Sequence, residues 1–551
     1  MLPGFLVSLL LLHGLAASPA AARQAKPAPA PAAPLPAATA PAAHPVLTMR
    51  VALVPEDSRP VCFQDVRILG LVSDIDVVGP PPSRLGRADQ EGDADGIVEW
   101  LDGLDVATLD AVIVSTDMLV YGGLAGSQKA GVAQDRALAR LAALGRLKAR
   151  RHDLQIYAFS TLLRLKPPEE GHKGQWKDSL EQWAVLGGGT AVDSQAATEA
   201  RVLEGTIPPT MIDAYRAFRA RNLAVTLASA DAVTRGDLDA LVVGTQDATV
   251  QGLAAAERDA ILAKVAGPSS SRVAFAPGTD GIAALLLARA AVARLSAVPA
   301  IAVERTPATS APDYGPTLDA YRAIIGGRVT APAGSRSLTV LVFSGRDNAP
   351  AAASAAERAA TLTAAGATVS IGDVSPEGVP GASQPLAEDL RNRHLFLKLA
   401  GYAAGGEPST TLAAALAQGV LRIVGLESVA RRSPAAATRL TSAHAYAQLR
   451  RLTVDFVYQT IVRPQAVEEY LTPHKMDPGH LNPDEIVRVR DYLKGEVQPL
   501  AENLVGEFGD RPRTPRPHTL TLTDLEDFSL SLPWGRLDEV EIAFRITSTT
   551  Q

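Results

Sequence analysis

Eight short runs of β-branched and apolar residues, each too short for a helix, constrain the fold of this chain more than any other feature. They are Met49–Val54, Ile75–Val78, Ala111–Ser115, Gln155–Phe159, Ala240–Gly244, Arg272–Ala276, Ala300–Val303 and Leu338–Phe343. Most are apolar on both faces, the pattern of strands buried in a parallel sheet. Between them lie Ala/Leu/Arg-rich stretches with helical spacing, such as Ala137–Arg151 and Ile282–Leu295. Strands alternating with helices predict βαβ units. Eight of them in about 300 residues suit a TIM-type (β/α) barrel-like domain over residues 47–345. Two Rossmann-like sheets fit the same alternation, and periodicity does not separate the two.

Residues 346–430 read as a smaller α/β unit, with helices at Ala355–Gly366 and Leu386–Leu399 and strands at Thr368–Gly372 and Leu421–Gly425. Residues 431–551 read as a helical region followed by a hairpin. Leu520 to Ile546 alternate apolar and polar residues, as a half-buried antiparallel pair does. At the other end, Phe5–Ala17 is an apolar run of signal-peptide length followed by small residues, without Lys or Arg before it. A signal peptide over residues 1–22 and an Ala/Pro-rich linker over 23–46 are the expectation, the linker being too rich in proline to pack. That places the protein in the periplasm or outside the cell; translation from Met49 would place it in the cytoplasm. No other stretch reads as a membrane span, so the mature chain is expected to have none.

Charge and cysteine usage narrow the chemistry. With 53 Lys+Arg against 59 Asp+Glu the net charge is -6, and no basic run marks a nucleic-acid partner. The single cysteine, Cys62, excludes an intrachain disulfide and a multi-Cys zinc site. No H-E-x-x-H, nucleophile elbow or complete phosphate-binding glycine motif is present, so neither metal nor cofactor is expected. His172 reads as a solvated loop residue.

What remains is polar punctuation at the strand ends. The first strand runs into Asp57 and Arg59, the third into Asp117 and Tyr121, the fifth into Gln246 and Asp247, the sixth into Asp280 and the seventh into Glu304. Parallel α/β folds bind ligands at the carboxyl ends of strands, so these groups would meet at one mouth. Two carboxyl groups facing one sugar bond suffice for glycoside hydrolysis, one protonating the leaving oxygen and the other acting as nucleophile or base. On that reading Asp247 is the acid, Asp280 or Glu304 its partner, and Asp57, Arg59, Asp117, Tyr121 and Gln246 hold the substrate. A secreted or periplasmic carbohydrate-directed hydrolase is the leading expectation. A non-catalytic sugar-binding envelope protein is the alternative, and a scaffold whose acids only cap helices is the bland one. Trp534 and Arg536, in the terminal hairpin, either cover the pocket or seal an interface.

The segments VALVPEDSRPV, VVGPPPSRLG and AVIVSTDMLVYGGL resemble the bacterial family catalogued as domain of unknown function 4127 (DUF4127). YRAFRARN, GTQDATVQG, PGTDGIAALLLAR and LPWGRLDEVEI extend the resemblance over nearly the whole folded chain. The resemblance implies architecture and no particular activity. Where the family has paired aspartates after the fifth strand this chain has Gln246-Asp247, and where it has Gly-Ala-Asp-Glu after the sixth it has Gly278-Thr279-Asp280-Gly281. The family's Asn-rich glycine segment is replaced by Gly405-Gly406-Glu407-Pro408-Ser409-Thr410. One carboxylate is thus missing from each expected pair.

Overall fold

Alternate residues of the first strands face two different cores, which is what a parallel sheet buried on both sides requires. In the computed structural model, Val51 and Leu53 join one hydrophobic cluster while Ala52 and Val54 join another. The structure describes residues 48–550 apart from 88–89, 130, 168–175, 189–193, 246–251, 266, 268, 294, 296–298, 306–311, 331–335, 375–378, 430–432 and 510–519. Gln246, Asp247 and His172 therefore lie outside the described residues, as does the expected signal peptide and linker.

Six strands form the first sheet: β1 (Met49–Val54), β2 (Ile75–Val78), β3 (Ala111–Ser115), β4 (Gln155–Thr161), β5 (Ala240–Thr245) and β6 (Val273–Pro277). All pair in parallel, in the order β2-β1-β3-β4-β5-β6. A second parallel sheet holds β7 (Ala300–Arg305), β8 (Ser337–Phe343), β9 (Thr368–Asp373) and β10 (Gly401–Ala404), in the order β10-β9-β8-β7. The barrel expectation is corrected here. The eight runs are real strands, but they divide between two open sheets rather than closing on one another. A barrel needs each new strand on the same side of the last. Here β3 adds to the opposite side of β1 from β2, leaving β2 and β6 as edges.

The helices change faces with that reversal. The helix Gln64–Leu71, linking β1 to β2, buries Val66 and Leu69 in the core between the sheets. The helix Ala94–Asp102, linking β2 to β3, buries Ile97 and Leu101 on the other face. The core between the sheets is built on two helices, Ile282–Val292 and Pro408–Val424, which pack on each other. Residues Pro408–Glu427 are apolar and long enough to cross a membrane by length and composition, and 78% of the apolar 18-residue window within them is buried inside the fold.

That helix also accounts for a second correction. Leu421–Gly425, expected as a strand, forms the end of the helix and the residue after it. Its Leu, Ile and Val suit a fully buried helix as well as a strand, and a short apolar run does not distinguish them. The tenth strand is Gly401–Ala404, whose small residues give no such signal. The outer face of the second sheet carries the third core, shared with the helix Ala349–Ala364, the helix Pro483–Gly509 and the hairpin β11 (Leu520–Ser531) and β12 (Glu541–Thr550). The hairpin is antiparallel, as the alternation predicts. Residues 47–551 cohere as one compact unit.

Candidate functional site

The order β2-β1-β3 makes the carboxyl ends of β1 and β3 a switch point. The loops leaving them diverge to opposite faces there and leave a crevice. A cavity of about 280 Å³ occupies this place. Asp57 and Arg59 after β1, Gly86 and Arg87 after β2, Gly122 to Ala125 after β3, and Thr161, Leu163 and Arg164 at the end of β4 all contribute to its wall. Trp534 and Arg536, from the turn between β11 and β12, close it from the far end of the chain.

Local sequence explains the shape. Ser115 caps the short helix Thr116–Tyr121, which ends on Gly122 at φ 80° and Gly123 at φ 110°, where a side chain is strained. A Cβ on Gly122 would stand 2.3 Å from the Gly92 carbonyl, so only glycine lets the two loops approach. The loop beyond is clasped from the helix Pro209–Arg235. Arg221 donates to the carbonyls of Lys129 and Val132 at 2.7 and 2.9 Å and to that of Ser127 at 2.6 Å, where Asn222 also donates at 2.8 Å. The segment YRAFRARN thus fixes one wall of the cavity.

Arg59 is the hub of the floor. Its backbone N–H and Nε both donate to Asp57 at 2.8 Å, and its Nη1 and Nη2 donate to the two oxygens of Asp280 at 3.1 and 2.6 Å. Glu539 stands 3.9 Å from the same guanidinium. Asp280 reaches this place from the remote strand β6 because it precedes the helix Ile282–Val292, which crosses back over β3 and β4 to the helix Gln64–Leu71. Trp534 donates its indole N–H to Ser58 at 2.9 Å. It meets Arg59 and Arg536 with guanidinium carbons 5.5 and 4.9 Å from ring centroids. Burial opposes the charge on Arg59, but Asp280, Cys62 and Asp57 facing it raise its pKa well above the usual value.

Behind the wall lie buried acids. Glu56 is 2% exposed; Oε1 accepts from the Thr161 hydroxyl at 2.9 Å, while Oε2 has no partner. Burial, then the neighbouring Asp280 and Asp57, push its pKa to about 8, so it is neutral near pH 7. Asp117 accepts from the Thr161 backbone N–H at 2.8 Å, and burial raises it to about 6. Burial likewise raises Glu539 to about 7.

Glu56, Cys62 and Asp280 each offer an atom within 4.8 Å of the others, a spacing that suits a cation. The position is already served by Arg59, whose Nη2 lies 2.6 Å from Asp280 and 3.6 Å from Cys62. Burial also pushes the Cys62 thiol up, away from the thiolate a metal needs. The donor set fits a guanidinium better than a metal.

The structure therefore brings Asp57, Arg59 and Asp280 together, with Asp117 one threonine away from Glu56. Tyr121 is buried behind the wall, with Arg221 over its ring at 4.6 Å, rather than exposed to a ligand. Glu304 does not join them: it lies on β7 in the other sheet, where Arg358 clasps it at 2.6 and 3.0 Å. Sequence reasoning passed over Glu56, Thr161, Arg87, Arg164 and Glu539. The first four do stand at strand exits, the one signal that marked them. Glu539 has no local signal at all.

The class the structure defines is an α/β fold of parallel sheets with a polar cavity at the switch point of the first sheet. The chain belongs to the family described as protein of unknown function (DUF4127), whose family model matches residues 51–543. No curated protein matches it.

Proposed function

We propose that the protein is a carbohydrate-directed hydrolase acting at the switch-point cavity. The observation that carries this reading is a pair of adjacent carboxyl groups in opposite surroundings. Glu56 is buried and held neutral, while Asp57 lines the cavity and is bound to a guanidinium. Carboxyl groups whose environments differ in this way divide the acid and base roles of glycoside cleavage. The Thr161 hydroxyl, which donates to Glu56 in the resting site, turns to give its proton to the leaving oxygen as the bond to the sugar carbon breaks, and takes the Glu56 proton in return. Asp57 takes a proton from the water that adds to that carbon. Trp534 gives the sugar ring an aromatic wall. Asp280, expected as a catalytic partner, becomes the residue that positions Arg59. The apolar segment Phe5–Ala17 supports a periplasmic or secreted location for this activity.

The non-catalytic sugar-binding reading has one observation in its favour: Asp57 and Asp280 are both engaged by Arg59. Turnover of a panel of aryl glycosides separates the two readings. The hydrolase reading expects cleavage by the full chain and a loss of about a hundredfold or more in Glu56→Gln, in line with removal of a general acid. Sugar binding without turnover, or unchanged turnover in Glu56→Gln, would overturn it.

A further inference from the structure

Resting on the reading of this cavity as a carbohydrate site, we infer that its ligand carries an oxyanion, a carboxylate or a phosphate, read by Arg87 and Arg536. The cavity wall holds four arginines, Arg59, Arg87, Arg164 and Arg536, and one acid, Asp57. In a chain of net charge -6 that excess is local, not compositional. Arg59 is balanced by Asp57 and Asp280. Arg87 and Arg536 form no ion pair among the described residues. Many other arginines of the fold are paired, among them Arg140 with Asp95, Arg219 with Glu257 and Arg439 with Asp74.

The two come from loops far apart in the chain, after β2 and between β11 and β12. Arg87 sits on the exposed loop after β2. Arg536 is half-buried and held by its stacking on Trp534, which is itself tied to Ser58. A planar guanidinium fixed by stacking presents its donors as a fork, the geometry that matches a carboxylate or phosphate. Gly86, Gly122 and Gly123 add no side chains of their own to the lining, which leaves room for an anionic group beside the arginines. The neutral Glu56 behind Thr161 adds no repulsion.

Calorimetric titration of the full chain with glucose, glucuronate and glucose 6-phosphate tests this. At least one of the two anionic sugars should bind tenfold or more tightly than glucose, and which of them does so identifies the oxyanion. The ratio of anionic-sugar to glucose affinity should fall about tenfold in Arg87→Gln and in Arg536→Gln. Arg87 is exposed, so its variant retains the fold even if the Trp534 stack is disturbed in the other. Equal affinity for glucose and both anionic sugars, no binding of any of the three, or loss of all binding alike in Arg87→Gln would overturn the inference. Binding with the expected preference but no glycoside turnover would sink the hydrolase reading and leave this one standing. Turnover confined to neutral glycosides would do the reverse.

Discussion

Both parallel sheets collect buried acids at their carboxyl ends, and among the described residues the two ends are finished differently. At the end of β9, Asp373 accepts from the Ser383 N–H at 2.8 Å and from the Tyr402 hydroxyl at 3.0 Å. Asp455 accepts from the Ala404 N–H at 2.8 Å, at the end of β10. Arg346, after β8, donates to the carbonyls of Val379 and Pro380 at 3.3 and 3.2 Å. Every one of these groups is answered by the fold. At the end of β1, by contrast, Glu56 keeps an oxygen without a partner, and Arg87 and Arg536 face a hollow. The sheets differ in strand order. The second runs β10-β9-β8-β7 in sequence, so successive loops pack on each other; the first reverses at β1, so its loops part. Strand-end acids in the second sheet are thus met by the fold itself, whereas the reversal in the first parts its loops around a cavity.

Three experiments can break or sharpen that contrast. The largest effect belongs to Arg59→Met, which leaves Asp57 and Asp280 facing each other without their shared cation. Breaking a buried pair from one side costs about 3–5 kcal/mol, discounted here because the side chain of Arg59 is 17% exposed. Chemical denaturation should register a loss near the lower end of that range. An unchanged midpoint would remove Arg59 from its central position.

Next comes the pH dependence at Glu56. Its pKa rises from an ordinary 4.5 to about 8 on folding, so between those values the folded chain holds a proton that the unfolded chain has lost. Stability from this group therefore falls as pH rises through that window, and Glu56→Gln should flatten the decline. Glycoside turnover should drop as pH passes about 8, when the proton donor is lost. A stability profile identical in the variant would mean the carboxyl is not held neutral.

The smallest effect is expected in the second sheet. Asp373 is raised to about 7 by burial, from an ordinary 3.8, so it too withdraws stability as pH climbs between those values. Asp373→Asn keeps an acceptor for Ser383 and Tyr402 and should shift stability by about 1 kcal/mol at neutral pH. Ligand binding at the first sheet should not change. A loss of binding in this variant would show that the two strand ends are coupled and would undo the contrast.

Much of the fold was legible in the chain, because strand and helix periodicities are local. Six of the eight first runs match strands to within a residue, and the fourth and seventh strands run two residues further, to Thr161 and Arg305. The misassigned Leu421–Gly425 and the missed Gly401–Ala404 fall where burial on all sides erases periodicity. The site was legible in part. Asp57, Arg59 and Asp280 stand out as strand-end residues, and they do converge. Glu304 has the same local signature, but its strand belongs to the other sheet. Glu56 looks like one more polar residue in a loop until burial makes it an acid.

The amino-acid order by itself determined the alternating strands and helices, the terminal hairpin and the polar strand exits, since these depend on residues a few positions apart. It also limited the cysteine chemistry, Cys62 being alone. Only the tertiary structure decided which strands are neighbours, and with that where the crevice opens, which acids share one guanidinium and that Trp534 and Arg536 close the cavity. The physical reason is that proximity between residues hundreds of positions apart, and the desolvation that follows from it, are properties of packing that no local pattern encodes.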